Sequence, residues 1–245
     1  MRIGIYFLMI LMVFGCNSEN GSDCFKKQGE FISQEITVDI FSKITISEGI
    51  ELVVNESAEQ KVELRAGKNF VNDIHFEVIE GELKISNQSG CGILRNYHAA
   101  QVFISTPFLE KIYSSSQYSI KSQGVLTFPI LILESGITSD TASSIFEIEV
   151  DNEKLIINDN VSSVYRVKGQ TNQLEVHFWG ANGRLEAEDL VADQISIFHR
   201  STNDMLVFPV NKINGKLMST GNLILKNVPP TVDVEQLYTG HIVYP

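Results

Sequence analysis

The sequence predicts an all-β protein, a two-sheeted parallel β-helix preceded by an N-terminal β subdomain. Three observations carry this. Apolar and polar residues alternate with period two through "ITVDI", "KITISEGIELVVN", "KVELRAG", "IHFEVIEGELKISN" and "AQVFIST", the pattern of strands covered on one face. No segment beyond the opening apolar run sustains a helical period. From Leu109 onward the chain falls into seven pieces whose starts lie 18 to 25 residues apart, each holding strand, small polar turn, strand and second turn.

The elements follow in chain order. "MRIGIYFLMILMVFGC" places one charge at Arg2, an apolar run from Ile3 to Phe14, then Gly15 and Cys16. That run is too short to span a bilayer as a mature helix and reads as a signal peptide over residues 1–15. Its ending "VFGC" resembles the bacterial lipobox, which makes Cys16 the lipid attachment site and the first mature residue. Two or three acyl chains anchor stably where one does not. Residues 16–30, beginning "CNSENGSD", have the composition of a flexible tether. Cys24 and Cys91 remain in a compartment that permits oxidation; they either pair as a disulfide or stay as two buried thiols.

Residues 31–108 form the N-terminal β subdomain, with turns at "EG", "AG", "EG" and "SG". Residues 109–245 form the repeat region, about seven coils continuous with it. In a β-helix each coil lays its strands parallel on the previous one, so equivalent positions stack in columns. Leu174, Val176 and Phe178 share one parity, Ile195 and Ile197 another, Leu223 and Leu225 a third, each set suited to an interior column, while Glu175, His177 and Ser196 face water. Ser115, Gly136, Ser162, Gly180, Ser201 and Gly221 are expected to stack at the corner between the sheets, where little Cβ bulk is tolerated.

At "GIELVVN", "IHFEVIEGELKISN", "CGILRNY", "PFLEKIY" and the ending "STGNLILKNVPPTVDVEQLYTGHIVY" the chain resembles the putative auto-transporter adhesin, head GIN domain family of Bacteroidetes lipoproteins. The resemblance implies a pectin-lyase-like, right-handed parallel β-helix and a role in cell adhesion. The family's Gly-Ser-Gly corners stand here as "SSSQ", "SGIT", "NVSS", "WGANG", "RSTN", "STGN" and "YTGH", a departure that bears on the regularity of the middle coils.

The net charge of −11 excludes attraction to nucleic acid or an acidic lipid surface. An enzyme on a β-helix needs convergent carboxylates with a cation near the sugar acid. The candidates are Asp140, Asp151, Asp159, Asp189, Asp193 and Asp204, with Arg166, Arg184 and Arg200 in successive coils. Most of these acids fall in second turns and read as a solvated face. His75, His98, His177, His199 and His241 show no metal or nucleophile spacing and read as surface or turn residues. No nucleotide-binding glycine motif is present. Trp179, in "FWGANG", either packs at a corner or offers a flat platform for a sugar. "DTA" resembles the short O-glycosylation motif of Bacteroidetes and marks Thr141.

The expectation is a lipid-anchored, adhesin-like cell-envelope protein, an outer-membrane lipoprotein facing the periplasm or the surface. Its face engages an extracellular glycan or protein, and no catalytic residue, metal or cofactor is expected. The competing readings are a polysaccharide lyase or hydrolase and a structural envelope protein. A stacked column of acids and bases favours the enzyme; an exposed strip of aromatics with Ser or Thr favours binding.

Overall fold

The structure, a computed structural model, describes residues 29–88, 100–137, 143–180 and 182–245. Cys16, Cys24, Cys91 and Thr141 lie outside the described residues. No α-helix occurs among the described residues; the chain is a β-helix of about six turns.

The strands of the repeat region are β8 (Lys111–Ser114), β9 (Ser119–Ser122), β10 (Ile130–Ser135), β11 (Ile145–Asp159), β12 (Val164–Phe178), β13 (Arg184–His199), β14 (Met205–Leu217), β15 (Leu223–Leu225), β16 (Thr231–Gln236) and β17 (Ile242–Val243). Every pairing among them is parallel, and residues one repeat apart are register partners. Leu131, Leu155, Leu174, Ile195, Ile213 and Val232 thus form one column. A second column runs Phe146, Tyr165, Leu185, Met205, Leu223, Ile242. Neighbouring rungs stand about 4.8 Å apart, which lets Phe146 and Tyr165 stack with ring centroids 4.7 Å apart. The parity read from the sequence holds: Val176, Phe178, Ile195, Ile197, Leu223 and Leu225 are buried, while Glu175, His177 and Ser196 face outward.

One local expectation fails. The second turn of each repeat does not interrupt the strand in the middle coils, because β11 to β14 are continuous over 13 to 16 residues. The parallel ladder carries on through the bend, where Val150, Asp151 and Asn152 oppose Gly169, Gln170 and Thr171. Gly169 absorbs the change of direction with φ of +106°, and a Cβ there would lie 2.1 Å from the Val150 carbonyl oxygen, so only glycine fits.

The N-terminal strands extend the same stack. β2 (Lys43–Ile46) and β3 (Ile50–Glu56) lie parallel on β8 and β9, pairing Ile44 with Ile112 and Leu52 with Ile120. On their far side lie β6 (Glu82–Asn87) and β7 (Ala100–Thr106), also parallel. The spatial order of these coils therefore departs from chain order, with residues 43–56 between later residues on both sides. β5 (Ile74–Ile79) pairs antiparallel with β6, and β4 (Lys61–Gly67) antiparallel with β7 and with β1 (Phe31–Ile36). Reversed strands cover an edge that would otherwise template another chain.

Val176 is fully buried, while Glu175 beside it pairs with Lys154 at 2.6 Å on the outer face. Val176→Asp places an unpaired charge in the interior column and is expected to cost about 4 kcal/mol or more, against under about 1 kcal/mol for Glu175→Gln. Urea unfolding of the two variants checks this, and equal losses would refute the register.

Candidate functional site

At the corner that follows the second-sheet strands, the chain turns while its backbone is still walled in by apolar columns. The small residues there act from inside. Ser116 Oγ donates to the Ile50 carbonyl at 2.6 Å, Ser135 Oγ to that of Ser114 at 2.9 Å, Ser144 Oγ to that of Ser116 at 2.6 Å and Ser201 Oγ to that of Gly183 at 2.6 Å. Ser114, Ser116 and Ser201 also accept backbone N–H groups two residues on: Ser116 N–H bonds Ser114 Oγ, Tyr118 N–H bonds Ser116 Oγ and Asn203 N–H bonds Ser201 Oγ, each at 3.1 Å. These hydroxyls satisfy backbone groups that water cannot reach.

Two ionisable groups stand in the interior column that runs Ser114, Ser135, Asp159, Phe178, His199, Leu217. Asp159 is 1% exposed and accepts from Val161 N–H at 3.1 Å and Tyr165 Oη at 3.3 Å. Burial outweighs those bonds and pushes its carboxyl up to about 6. His199 is fully buried with neither ring nitrogen hydrogen-bonded, and burial lowers its pKa to about 4. Both correct the sequence reading, which left Asp159 on a solvated face and His199 at the surface. The signal was present: in "LIIND" and "ISIFH" each shares the parity of the inward Leu155, Ile157, Ile195 and Ile197.

The outer face of the first sheet carries a groove of about 430 Å³ lined by Lys121, Glu147, Arg166, Lys168, Glu186 and Asp189 among others. Register places Lys121, Glu147, Arg166 and Glu186 on successive rungs with alternating sign. Lys121 lies 3.7 Å from Glu147, Arg166 lies 3.3 Å from Glu147 and 2.9 Å from Glu186, and Arg184 lies 2.7 Å from Glu186. Partial burial alone would raise the Glu186 pKa, but the two guanidiniums outweigh it and hold the carboxyl below its ordinary value. Ion pairs tie Lys121, Glu147, Arg166 and Glu186 together, while Glu188 and Asp189 line the groove outside these pairs. Arg166, Arg184 and Arg200 form no column, since Arg200 stands at the far corner. Of the candidate acids, Asp159 points inward, Asp189 lies in the groove and Asp204 bonds Asn222 at 3.0 Å, while Asp151 and Asp193, the latter bonded to Asn211, line a second pocket at the other bend. Asp140 lies outside the described residues. No group of three His, Cys, Asp or Glu able to hold a metal occurs among the described residues.

The outer corner is different. Asn160, Trp179, Arg200, Met218 and Leu237 each donate a backbone N–H to the preceding coil, to the carbonyls of Ser135, Asp159, Phe178, His199 and Leu217 at 2.8 to 3.1 Å. That ladder aligns them in one column. The expected stack of Ser115, Gly136, Ser162, Gly180, Ser201 and Gly221 therefore breaks up, with Ser115 and Gly136 alone on this line. Bulk is tolerated because these side chains point to solvent and the small residues are needed on the inner side. Trp179 is 45% exposed, Met218 37% and Leu237 54%, and Tyr238 follows at 63%. The indole lies over Phe198, with centroids 4.7 Å apart, and near-parallel to His177 at 5.6 Å. His177 Nδ1 is 3.0 Å from Asn158 Oδ1, and burial, with Lys154 adding, lowers its pKa against Glu175. Thr202, bonded to Asn182 at 3.1 Å, lies two residues beyond Arg200.

The coiled parallel stack defines the class as a β-helix. The chain belongs to the family described as "Putative auto-transporter adhesin, head GIN domain", whose profile matches residues 40–229. It is similar in structure to a putative adhesin from Bacteroides fragilis, with TM-score 0.79 at 18% identity over 88% of this chain and 97% of that one. A putative adhesin from Parabacteroides merdae gives TM-score 0.66 at 14% identity, over 89% and 97%. A protein from Parabacteroides distasonis described as a putative lipid binding protein gives 0.63 at 14%, again over 89% and 97%. At these identities the likeness is one of fold. No curated protein matches the sequence.

The buried pair sets opposing pH dependences. Asp159, raised in the folded state, adds stability that is full below pH 3.8 and is lost as pH rises through about 6. His199, depressed, adds stability that is present above pH 6.5 and is lost as pH falls through about 4. Each is worth about 3 kcal/mol, so they nearly cancel between these limits. Relative to the wild type, Asp159→Asn is expected to lose stability on going from pH 6.5 to 4, and His199→Leu to gain it. Denaturant unfolding across this range tests both, and parallel curves would contradict the assignment.

Proposed function

We propose that the chain is a lipid-anchored cell-envelope protein, an outer-membrane lipoprotein, whose corner ridge binds an extracellular glycan without catalysis. The single observation that carries this is the exposed Trp179 resting on Phe198 and His177, followed along the same corner by Arg200, Met218 and Leu237. An indole supported from beneath suits the apolar face of a pyranose, and side chains repeated at rung spacing suit an extended chain. Thr202, Ser219 and Thr220 flank the ridge with hydroxyls. Adhesin-like family membership supports a place in the cell envelope.

Two findings weigh against a lyase or hydrolase. Glu147, Glu149 and Glu186 in the groove are engaged by cations, and Asp159, the raised carboxyl, faces the interior. A general acid must reach its substrate.

Trp179→Ala is expected to weaken binding on a glycan array by about tenfold while leaving thermal unfolding little changed. Unaltered array signals, or cleavage of an arrayed polysaccharide, would overturn the reading. For the anchor, Cys16→Ala is expected to release the protein from membranes with loss of labelled fatty acid; retention with the label intact would refute it.

A further inference from the structure

We propose that the sugar held on this ridge carries a carboxylate and that Arg200 is the residue that selects it. The inference rests on the glycan reading of the ridge and adds the chemical class of the ligand. Among the described residues, Arg65 pairs with Glu63 at 2.6 Å, Arg166 with Glu147 and Glu186, and Arg184 with Glu186. Arg200 pairs with no described carboxylate, although the chain holds 30 acids against 19 bases. It is exposed, and its backbone is fixed by the bond from its N–H to the Phe178 carbonyl at 3.0 Å. Lys216, on the same strand face as Phe198, is already engaged by Glu235 at 3.3 Å. The rung before Arg200 carries the Trp179 platform and the rung after it Met218.

This places the backbone of an arginine outside any described ion pair one rung, about 4.8 Å, along the stack from that of the supported Trp179. A guanidinium presents a planar fork that matches a carboxylate with two parallel hydrogen bonds, and the indole takes the apolar face of the ring that bears it. The net charge of −11 repels a long polyanion. The ligand is therefore a mostly neutral glycan with an isolated or terminal acidic sugar. Uronate and sialate share the chemistry required.

The test uses the full chain in mild detergent and oligosaccharides that share one neutral core and end in glucuronate, in its carboxyl-reduced twin glucose, or in sialate. The expected result is that one of the acidic termini binds about tenfold more tightly than the glucose twin, the worth of a charge-assisted bond. Arg200→Gln should abolish that preference, bringing the acidic and neutral termini to equal affinity, and which acidic terminus is preferred by the wild type separates the two sources. Equal binding of acidic and neutral termini, or a preference that survives Arg200→Gln, would overturn the carboxylate inference. The glycan reading would stand if Trp179→Ala still weakened all three. If Trp179→Ala changed none of them, or none bound, both would fail.

Discussion

The constraint on which the rest of this molecule depends is that a coiled strand must turn inside an apolar tube. Along the strands the ladder pairs backbone donors with acceptors of the neighbouring coil, but at the corner after Ser114, Ser135, Asp159, Phe178 and His199 the ladder ends. An unpaired buried amide there costs about as much as several buried methylenes contribute. Ser114, Ser116, Ser135, Ser144 and Ser201 resolve this by bonding to the turn's own carbonyls and amides across successive coils. Once the inner corner is filled by hydroxyls, the outer corner is released from any demand for small residues, and Trp179, Arg200 and Met218 become possible.

The two outward surfaces then differ for an electrostatic reason. On the first sheet, register sets opposite charges on adjacent rungs, so Lys121, Glu147, Arg166 and Glu186 satisfy one another and present little net field. Partly exposed pairs of this kind contribute modestly to stability, and they leave Glu188 and Asp189 as the groove acids outside the ion pairs. At the far corner the column holds one cation and three apolar side chains, with no carboxylate among them. The proposed binding surface is therefore the corner and not the groove face.

The interior column holds Asp159 and His199 one rung either side of Phe178. Neither is paired with an opposite charge, and each is kept neutral more readily than its free counterpart by desolvation. A polar side chain at an inward position is tolerated here because the Val161 amide and the Tyr165 hydroxyl donate to Asp159 at the corner. His199 has no such bonds, so it is held in place by packing, with the Phe178 ring 6.0 Å away.

The sequence by itself determined the β class, the repeat boundaries and the inward parity, because period-two alternation and column spacing are local consequences of strand geometry. It also contained the inward direction of Asp159 and His199, which the parity of "LIIND" and "ISIFH" encodes. Only the tertiary structure decided the placement of residues 43–56 between later coils, since parallel pairing of β2 and β3 with strands on both sides leaves no local mark. The corner columns were likewise hidden. Connections of unequal length join the strands, from Ser135 to Ile145 at one coil and from Asp159 to Val164 at the next, so counting from glycine to glycine misaligns them. Which charges neutralise one another, and which arginine is left over, follows from that register, because the partners lie a full coil apart and meet only when the chain has closed its turn.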